Sequence, residues 1–201
     1  MAQQYVVTIS RQFGSMGRSI AHRLSEILEI EYLDRDIVEA TAKRMGLPVS
    51  VISEEEENGR VGSNFFRRMY PLGIGVPNLK DEIFDVQKNI IRDFASKDSC
   101  IIVGRCAESI LSDFDNRLSV YIYAPLEARL KNCTDILNMD LKTAKGMIKE
   151  VDTARENYHR SYCAGYTGPF DYRDIMLDSS KFGIEGTAAV IAGIVRERWC
   201  Q

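Results

Sequence analysis

Tyr5-Val6-Val7-Thr8-Ile9 is an apolar, β-branched run that breaks into Gly14-Ser15-Met16-Gly17-Arg18-Ser19, and an amphipathic segment over residues 20–28 follows at once. That order predicts strand, glycine loop and helix. In such a unit the N–H groups of the loop and the positive end of the helix dipole converge on one point, where a phosphate would sit.

The phosphate-loop template Gly-x-x-x-x-Gly-Lys-Ser/Thr fits at Gly17 and Ser19, with Gln12 in place of the first glycine and Arg18 in place of the lysine. Arg18 therefore takes the position that reaches the β- and γ-phosphates. Arginine keeps its charge and can fork onto two oxygens, but it is bulkier than lysine, so the geometry of binding should differ. Ser19 carries the hydroxyl that meets Mg²⁺ in this template; a plain serine in the first turn of a helix is its other reading.

Working outward, apolar runs suited to buried strands recur at residues 100–103, 118–123 and 175–177, with a shorter one at 31–33. Helical spacing separates them: Ile83, Phe84, Ile90, Ile91 and Phe94 in one segment, Ile184, Ala188, Ile191 and Val195 in another. Alternating strands and helices predict an α/β fold with a mostly parallel sheet covered on both faces, with ligands bound beyond the carboxyl ends of its strands. Asp34, directly after the short strand, either accepts a hydrogen bond from a substrate or caps the helix beginning near Ile37. Arg105, just beyond the run 100–103, faces the cleft or caps a surface helix; the cleft is the preferred reading.

A chain of 201 residues fits a single domain, 1–201, with two segments that interrupt the rhythm. The first, an inserted acceptor-side segment at about 46–80, holds the acid run Glu54-Glu55-Glu56-Glu57 and the glycines and prolines between 59 and 77. The second, about 141–172, begins as a basic helix with Lys142, Lys145, Lys149, Arg155, His159 and Arg160, and dissolves into Ala164-Gly165-Tyr166-Thr167-Gly168-Pro169. It reads as a lid closing over phosphates or as a solvated basic helix. Asp152 and Arg155, three apart on that helix, are spaced to pair.

Composition excludes several classes. The apolar fraction is 45%, the charged fraction 27%, and no apolar stretch approaches a membrane span. Residues 1–4 lead into the first strand without a basic start or cleavable apolar region, so a cytoplasmic location is expected. A net charge of −3 offers no general attraction for a nucleic acid polymer. Five cysteines, scattered and never in Cys-x-x-Cys spacing, read as reduced thiols without a zinc site or disulfide framework. Two histidines leave little material for a histidine-based metal site or a Ser-His-Asp triad. Nothing in the sequence sets the oligomeric state.

Five stretches, taken in order, resemble the cytidylate kinase-like group of P-loop nucleoside monophosphate kinases almost end to end. They are Thr8-Ile9-Ser10-Arg11-Gln12-Phe13-Gly14-Ser15-Met16-Gly17-Arg18, Tyr32-Leu33-Asp34, Ile101-Ile102-Val103-Gly104-Arg105, the basic helix from Asp152 to Arg160, and the stretch from Asp174 through Leu177-Asp178-Ser179-Ser180-Lys181 to Glu185. The resemblance implies a three-layer P-loop NTPase fold with a five-stranded parallel sheet and a helical lid. It places ATP on Gly14, Ser15, Met16, Gly17, Arg18 and Ser19, with Arg11 among the phosphate-neutralising cations, Lys181 beside the adenine and Mg²⁺ on Ser19. A nucleoside monophosphate, CMP or dCMP first, would lie near Asp34 and Arg105, while Arg155 and Arg160 close on the transferred phosphoryl group. The chain departs from true cytidylate kinases at Arg18, at Val103 and Cys106, where acids flank the Gly-Arg pair, and at Asp36-Ile37-Val38-Glu39-Ala40, which lacks the arginine that grips the substrate phosphate. Two other readings stand beside it: a kinase of a hydroxyl acceptor, as in dephospho-coenzyme A or shikimate kinases, and a nucleotide-binding regulatory protein without turnover.

Overall fold

The computed structural model describes residues 3–58 and 79–200. The chain runs β1 (Val6–Arg11), α1 (Gly17–Leu28), β2 (Glu31–Leu33), α2 (Arg35–Met45), α3 (Val49–Asn58), α4 (Leu79–Ala95), β3 (Cys100–Val103), α5 (Ala107–Ile110), β4 (Arg117–Tyr123), α6 (Leu126–Asp135), α7 (Leu141–Tyr162), β5 (Ile175–Asp178) and α8 (Ser179–Trp199). The five strands form one sheet of order β2-β3-β1-β4-β5, with every pairing parallel.

Strand alternation explains the layers. Val7, Ile9, Ile101 and Val103 point to one face, where α1 and α8 cover them with Ile20, Leu24, Ile191 and Val195. Val6, Cys100 and Ile102 point to the other, packing against Leu33, Ile37, Ile90 and Ile91. Residues 6–9 of the central strand are at most 1% exposed, which is why that run, Thr8 apart, is aliphatic rather than alternating. Gly183 (φ 64°, ψ −171°) breaks α8 after its first turn, and the apolar spacing that begins at Ile184 belongs to the helix beyond the break.

Boundaries differ from the sequence reading in two informative places. β1 continues to Arg11, so this arginine sits at the end of a buried strand and its side chain has a fixed origin. The start of the predicted insertion folds as α3, which buries Val51 and packs Ile52 with Val38 and Ile83. Residues 59–78, with the rest of that segment, lie outside the described residues. Among the described residues no helix is long and apolar enough to cross a membrane.

The register places the site. Ile9 pairs with Val103 and Leu33 with Ile102, so the loop after β1, Asp34 after β2 and Gly104-Arg105 after β3 all open at one edge of the sheet. Beside β1 lie β3 and β4, and the chain crosses to opposite sides of it, leaving a crevice at that edge.

Candidate active site

Backbone and glycines come first. Gly14 has φ 77°, and a Cβ there would lie 2.9 Å from the carbonyl oxygen of Arg129, so the loop closes only around a glycine. Met16, in the left-handed region at φ 60°, is the N-cap of α1 and no side chain caps that helix, which leaves its first-turn N–H groups turned toward the crevice. Gln12, at the template's first glycine, accepts a hydrogen bond from the Ala124 N–H at 3.2 Å and so moors the loop to the end of β4.

Arg11 explains two further glycines. A Cβ on Gly17 would sit 2.6 Å from the Arg11 Cβ, and one on Gly104 (φ 76°) would run into the Arg11 guanidinium. The Arg11 side chain therefore crosses the floor of the crevice from beneath the phosphate loop to the turn after β3. Burial, then the charge of Arg155, pushes its pKa down to about 9. Asp34 opposes that shift while Arg105 and Arg18 add to it, so the crevice carries an excess of positive charge.

Asp34 gathers the neighbouring charges. Its Oδ2 lies 2.5 Å from Arg18 Nε, its Oδ1 2.9 Å from Arg105 Nη1, and Tyr32 donates its hydroxyl to Oδ2 at 3.1 Å. Burial opposes ionisation of this carboxyl, but Arg105, Arg11 and Arg18 outweigh it and hold its pKa below the ordinary value. The same carboxylate, after burial, raises the Tyr32 phenol to about 12. Asp34 stands at the N-cap position of α2 but makes no side-chain cap bond, and it lines the cleft.

The wall opposite is α7. Arg155 Nη1 donates to the Arg11 carbonyl at 2.9 Å. Asp152 accepts from the Phe13 N–H at 2.7 Å and from Arg129 Nη1 at 2.5 Å, while Arg129 also reaches the Phe13 carbonyl. The expected Asp152–Arg155 pair is thus corrected: Asp152 takes the Phe13 N–H and the Arg129 guanidinium, while Arg155, one turn along, turns to the Arg11 carbonyl. Together these walls enclose a cleft of about 930 Å³ whose lining includes Arg11, Arg18, Ser19, Asp34, Arg105 and Arg155.

Three other sequence candidates are placed elsewhere. Ser15 is buried, its hydroxyl donating to the carbonyls of Gln12 and Ile122, so its side chain braces the loop from behind. Arg160 is exposed and pairs with Glu156 at 2.9 Å, outside the cleft. Lys181 is exposed and outside the lining too. Its neighbour Ser179, however, donates to the Ser15 carbonyl at 2.8 Å and ties α8 to the loop.

Sequence reasoning missed Arg129, and it missed a buried cluster of Glu108, His159 and Arg173. Glu108 Oε1 lies 2.7 Å from His159 Nε2 and 2.6 Å from Arg173 Nη1. Burial works against both charges; the hydrogen bond to His159, and Arg173 beside it, still lower Glu108 to about 2, and Glu108 in turn raises His159. Glu108 and Arg173 stand in no motif, and the three meet only where α5, the end of α7 and the segment before β5 come together. Among the thiols read as scattered, Cys106 and Cys163 converge beside His159, a Cys₂His set of donor atoms that spacing along the chain did not reveal.

A model of the cytidylate kinase-like family matches residues 6–181. Among solved structures, an uncharacterized protein from Eubacterium ventriosum ATCC 27560 is 27% identical with a TM-score of 0.71, over 97% of this chain and 100% of that one. Shikimate kinase from Acinetobacter baumannii, in complex with shikimate, is 13% identical with a TM-score of 0.55, over 98% and 95% of the two chains. Shikimate kinase from Bacteroides thetaiotaomicron is 8% identical with a TM-score of 0.52, over 97% and 98%. At those identities the two shikimate kinases share the fold alone. No curated protein matches the sequence.

Proposed function

This chain belongs to the cytidylate kinase-like family, and we propose that it transfers the γ-phosphoryl group of ATP to a small phosphate-bearing acceptor, a nucleoside monophosphate such as CMP or dCMP. One observation carries the reading: four arginines, Arg11, Arg18, Arg105 and Arg155, surround the uncapped start of α1, and the carboxylate among them, Asp34, is shared by two. Phosphoryl transfer asks for little else than positioned cations and N–H groups around a spreading negative charge.

In this reading the loop at 14–19 cradles the ATP phosphates through its backbone, and Arg18 leaves Asp34 to meet the β- and γ-oxygens. Arg11 and Arg105 hold the acceptor phosphate. Arg155, on a lid spanning 141–172, closes on the group in transit. The acceptor oxygen is already a competent nucleophile, so no general base is required, in keeping with a cleft that holds one histidine. The Ser19 hydroxyl, a hard donor in the first turn of α1 within the cleft, suits Mg²⁺. When bound, the ion would neutralise charge on the β- and γ-phosphates.

Asp34 favours a second reading. A buried, ionised carboxylate beside the phosphate loop could take the proton of a hydroxyl acceptor. ATP consumption measured against a panel of nucleoside monophosphates, dephospho-coenzyme A and shikimate separates these. Turnover with a nucleoside monophosphate is expected. Turnover with hydroxyl acceptors alone would replace the first reading by the second, and ATP binding without turnover on any acceptor would leave a regulatory, nucleotide-binding protein.

A further inference from the structure

Beside the cleft, whose lining His159 shares with Arg105 and Arg155, the donor atoms of Cys106, His159 and Cys163 all lie within 4.8 Å of one another. Cys106 is fully buried and Cys163 is 4% exposed. They come from two elements. Cys106 directly precedes α5, next to Gly104 and Arg105; His159 and Cys163 are four apart at the end of α7, on one side of that helix. We propose that Cys106, Cys163, His159 and Glu108 form a structural zinc site that ties the end of α7 to the turn presenting Arg105.

The donors suit zinc before any geometry is considered, because two thiols, an imidazole and a carboxylate are its ordinary ligand set. Orientation of the imidazole agrees. His159 Nδ1 lies 2.8 Å from the Arg155 carbonyl oxygen, which can only accept, so Nδ1 keeps its hydrogen and Nε2 is the atom left for a metal.

Glu108 adds an independent observation. This carboxylate is 1% exposed, its Oε1 is 2.7 Å from Nε2, and its Oε2 is buried without a hydrogen-bond partner among the described residues. Arg173 and His159 both sit on Oε1, which leaves Oε2 as the carboxylate's open acceptor position. Tetrahedral ligands at about 2.0 Å for N and O and about 2.3 Å for S stand roughly 3.3–3.8 Å apart. Side-chain rotations of about an ångström therefore bring Cys106, Cys163 and Nε2 to that spacing, and Glu108, outside the set within 4.8 Å, would have to turn its Oε2 toward them.

Charge closes as well. Two thiolates and one carboxylate around a dication leave one negative charge, and Arg173, 2.6 Å from Glu108 Oε1 and 3.2 Å from His159 Nε2, stays as the matching cation. The protons of both thiols and of Nε2 leave to solvent as the ion enters. With four protein ligands the site is closed, hence structural. Its consequence reaches the cleft: Gly104, Arg105 and Cys106 have φ of 76°, 57° and 54°, a left-handed run that persists only where its surroundings over-determine it, and an ion on Cys106 would do so.

The test reads metal rather than turnover, so it stands or falls independently of the kinase reading. The full chain, purified in reductant and freed of metal with a chelator, is titrated with Co²⁺ and then Zn²⁺. One ion per chain is expected, with the thiolate charge-transfer band and strong visible bands of tetrahedral cobalt, bleached on adding zinc. Hydrogen exchange should slow around residues 104–108 and 159–163. Cys163→Ser should weaken uptake by at least about ten-fold, whereas Cys200→Ser, at an exposed thiol, should leave it unchanged. Should Cys163→Ser fail to fold, the cobalt spectrum of the unaltered chain decides alone. A spectrum without the thiolate band, or uptake equal in Cys163→Ser and the unaltered chain, would overturn the site.

Discussion

Asp34 is held ionised by arginines against its own burial, so removing it should expose what those arginines do to one another. Asp34→Asn breaks a buried pair with Arg105 and should cost about 3 kcal/mol at neutral pH in the absence of ligand. Sulfate or ATP should restore part of the loss by taking its place among the cations. Because its folded pKa is depressed, its contribution is fully present above the ordinary value of 3.8 and is lost as pH falls through the folded value. Urea melts of both proteins between pH 3 and 7 should therefore converge at the acid end. Arg18→Ala should remove on the order of 2–4 kcal/mol of transition-state stabilisation, with Arg18→Lys retaining part of it; an unchanged rate would make Arg18 a surface residue. Gly104→Ala drives a Cβ into the Arg11 guanidinium at a positive φ and should cost about 1–3 kcal/mol, whereas Gly168→Ala meets nothing within 4 Å and should be close to neutral in the same melts.

At the scale of the element, α7 presents two arginines that sequence could not rank. Both sit on a basic stretch, yet Arg155 turns inward to the Arg11 carbonyl while Arg160 lies outside, paired with Glu156. Arg155→Ala should reduce turnover far more than ATP affinity, since lid contacts tighten as the site closes; Arg160→Ala should leave both near their starting values. Steady-state rates beside equilibrium ATP titrations would show the split. Asp152 is what fixes the pose of that helix, holding Phe13 and Arg129 at once, so α7 is latched to the phosphate loop at its middle. Its helical character was legible from composition and spacing. Its inward face was not, because which side of a basic helix turns to a cleft depends on the partners α6 and the loop supply.

For the whole molecule, the sheet divides two cores, with Leu24 in one and Ile91 in the other. Leu24→Ala and Ile91→Ala should each cost about 2–5 kcal/mol and add within roughly 0.5 kcal/mol in the double variant, measured by urea unfolding; strong non-additivity would mean the two layers relax together through the sheet. Strand–loop–helix order could be read directly from residues 5–28, and the parallel sheet from the alternation of strands and helices along the chain, because β-branched runs, glycines and helical spacing express local backbone preferences that need no partner. Asp34 and Arg105 were likewise readable, since residues at the carboxyl ends of parallel strands arrive at one edge whatever the details. Three things needed the tertiary structure. Ser15 turns into the protein because the end of β4 offers it a carbonyl. Arg11 spans the cleft floor because two glycines separated by 87 positions both leave it room. Cys106, Glu108, His159, Cys163 and Arg173 become one cluster only where the start of α5, the end of α7 and the segment before β5 meet, and neither spacing nor composition encodes a contact that the fold alone creates.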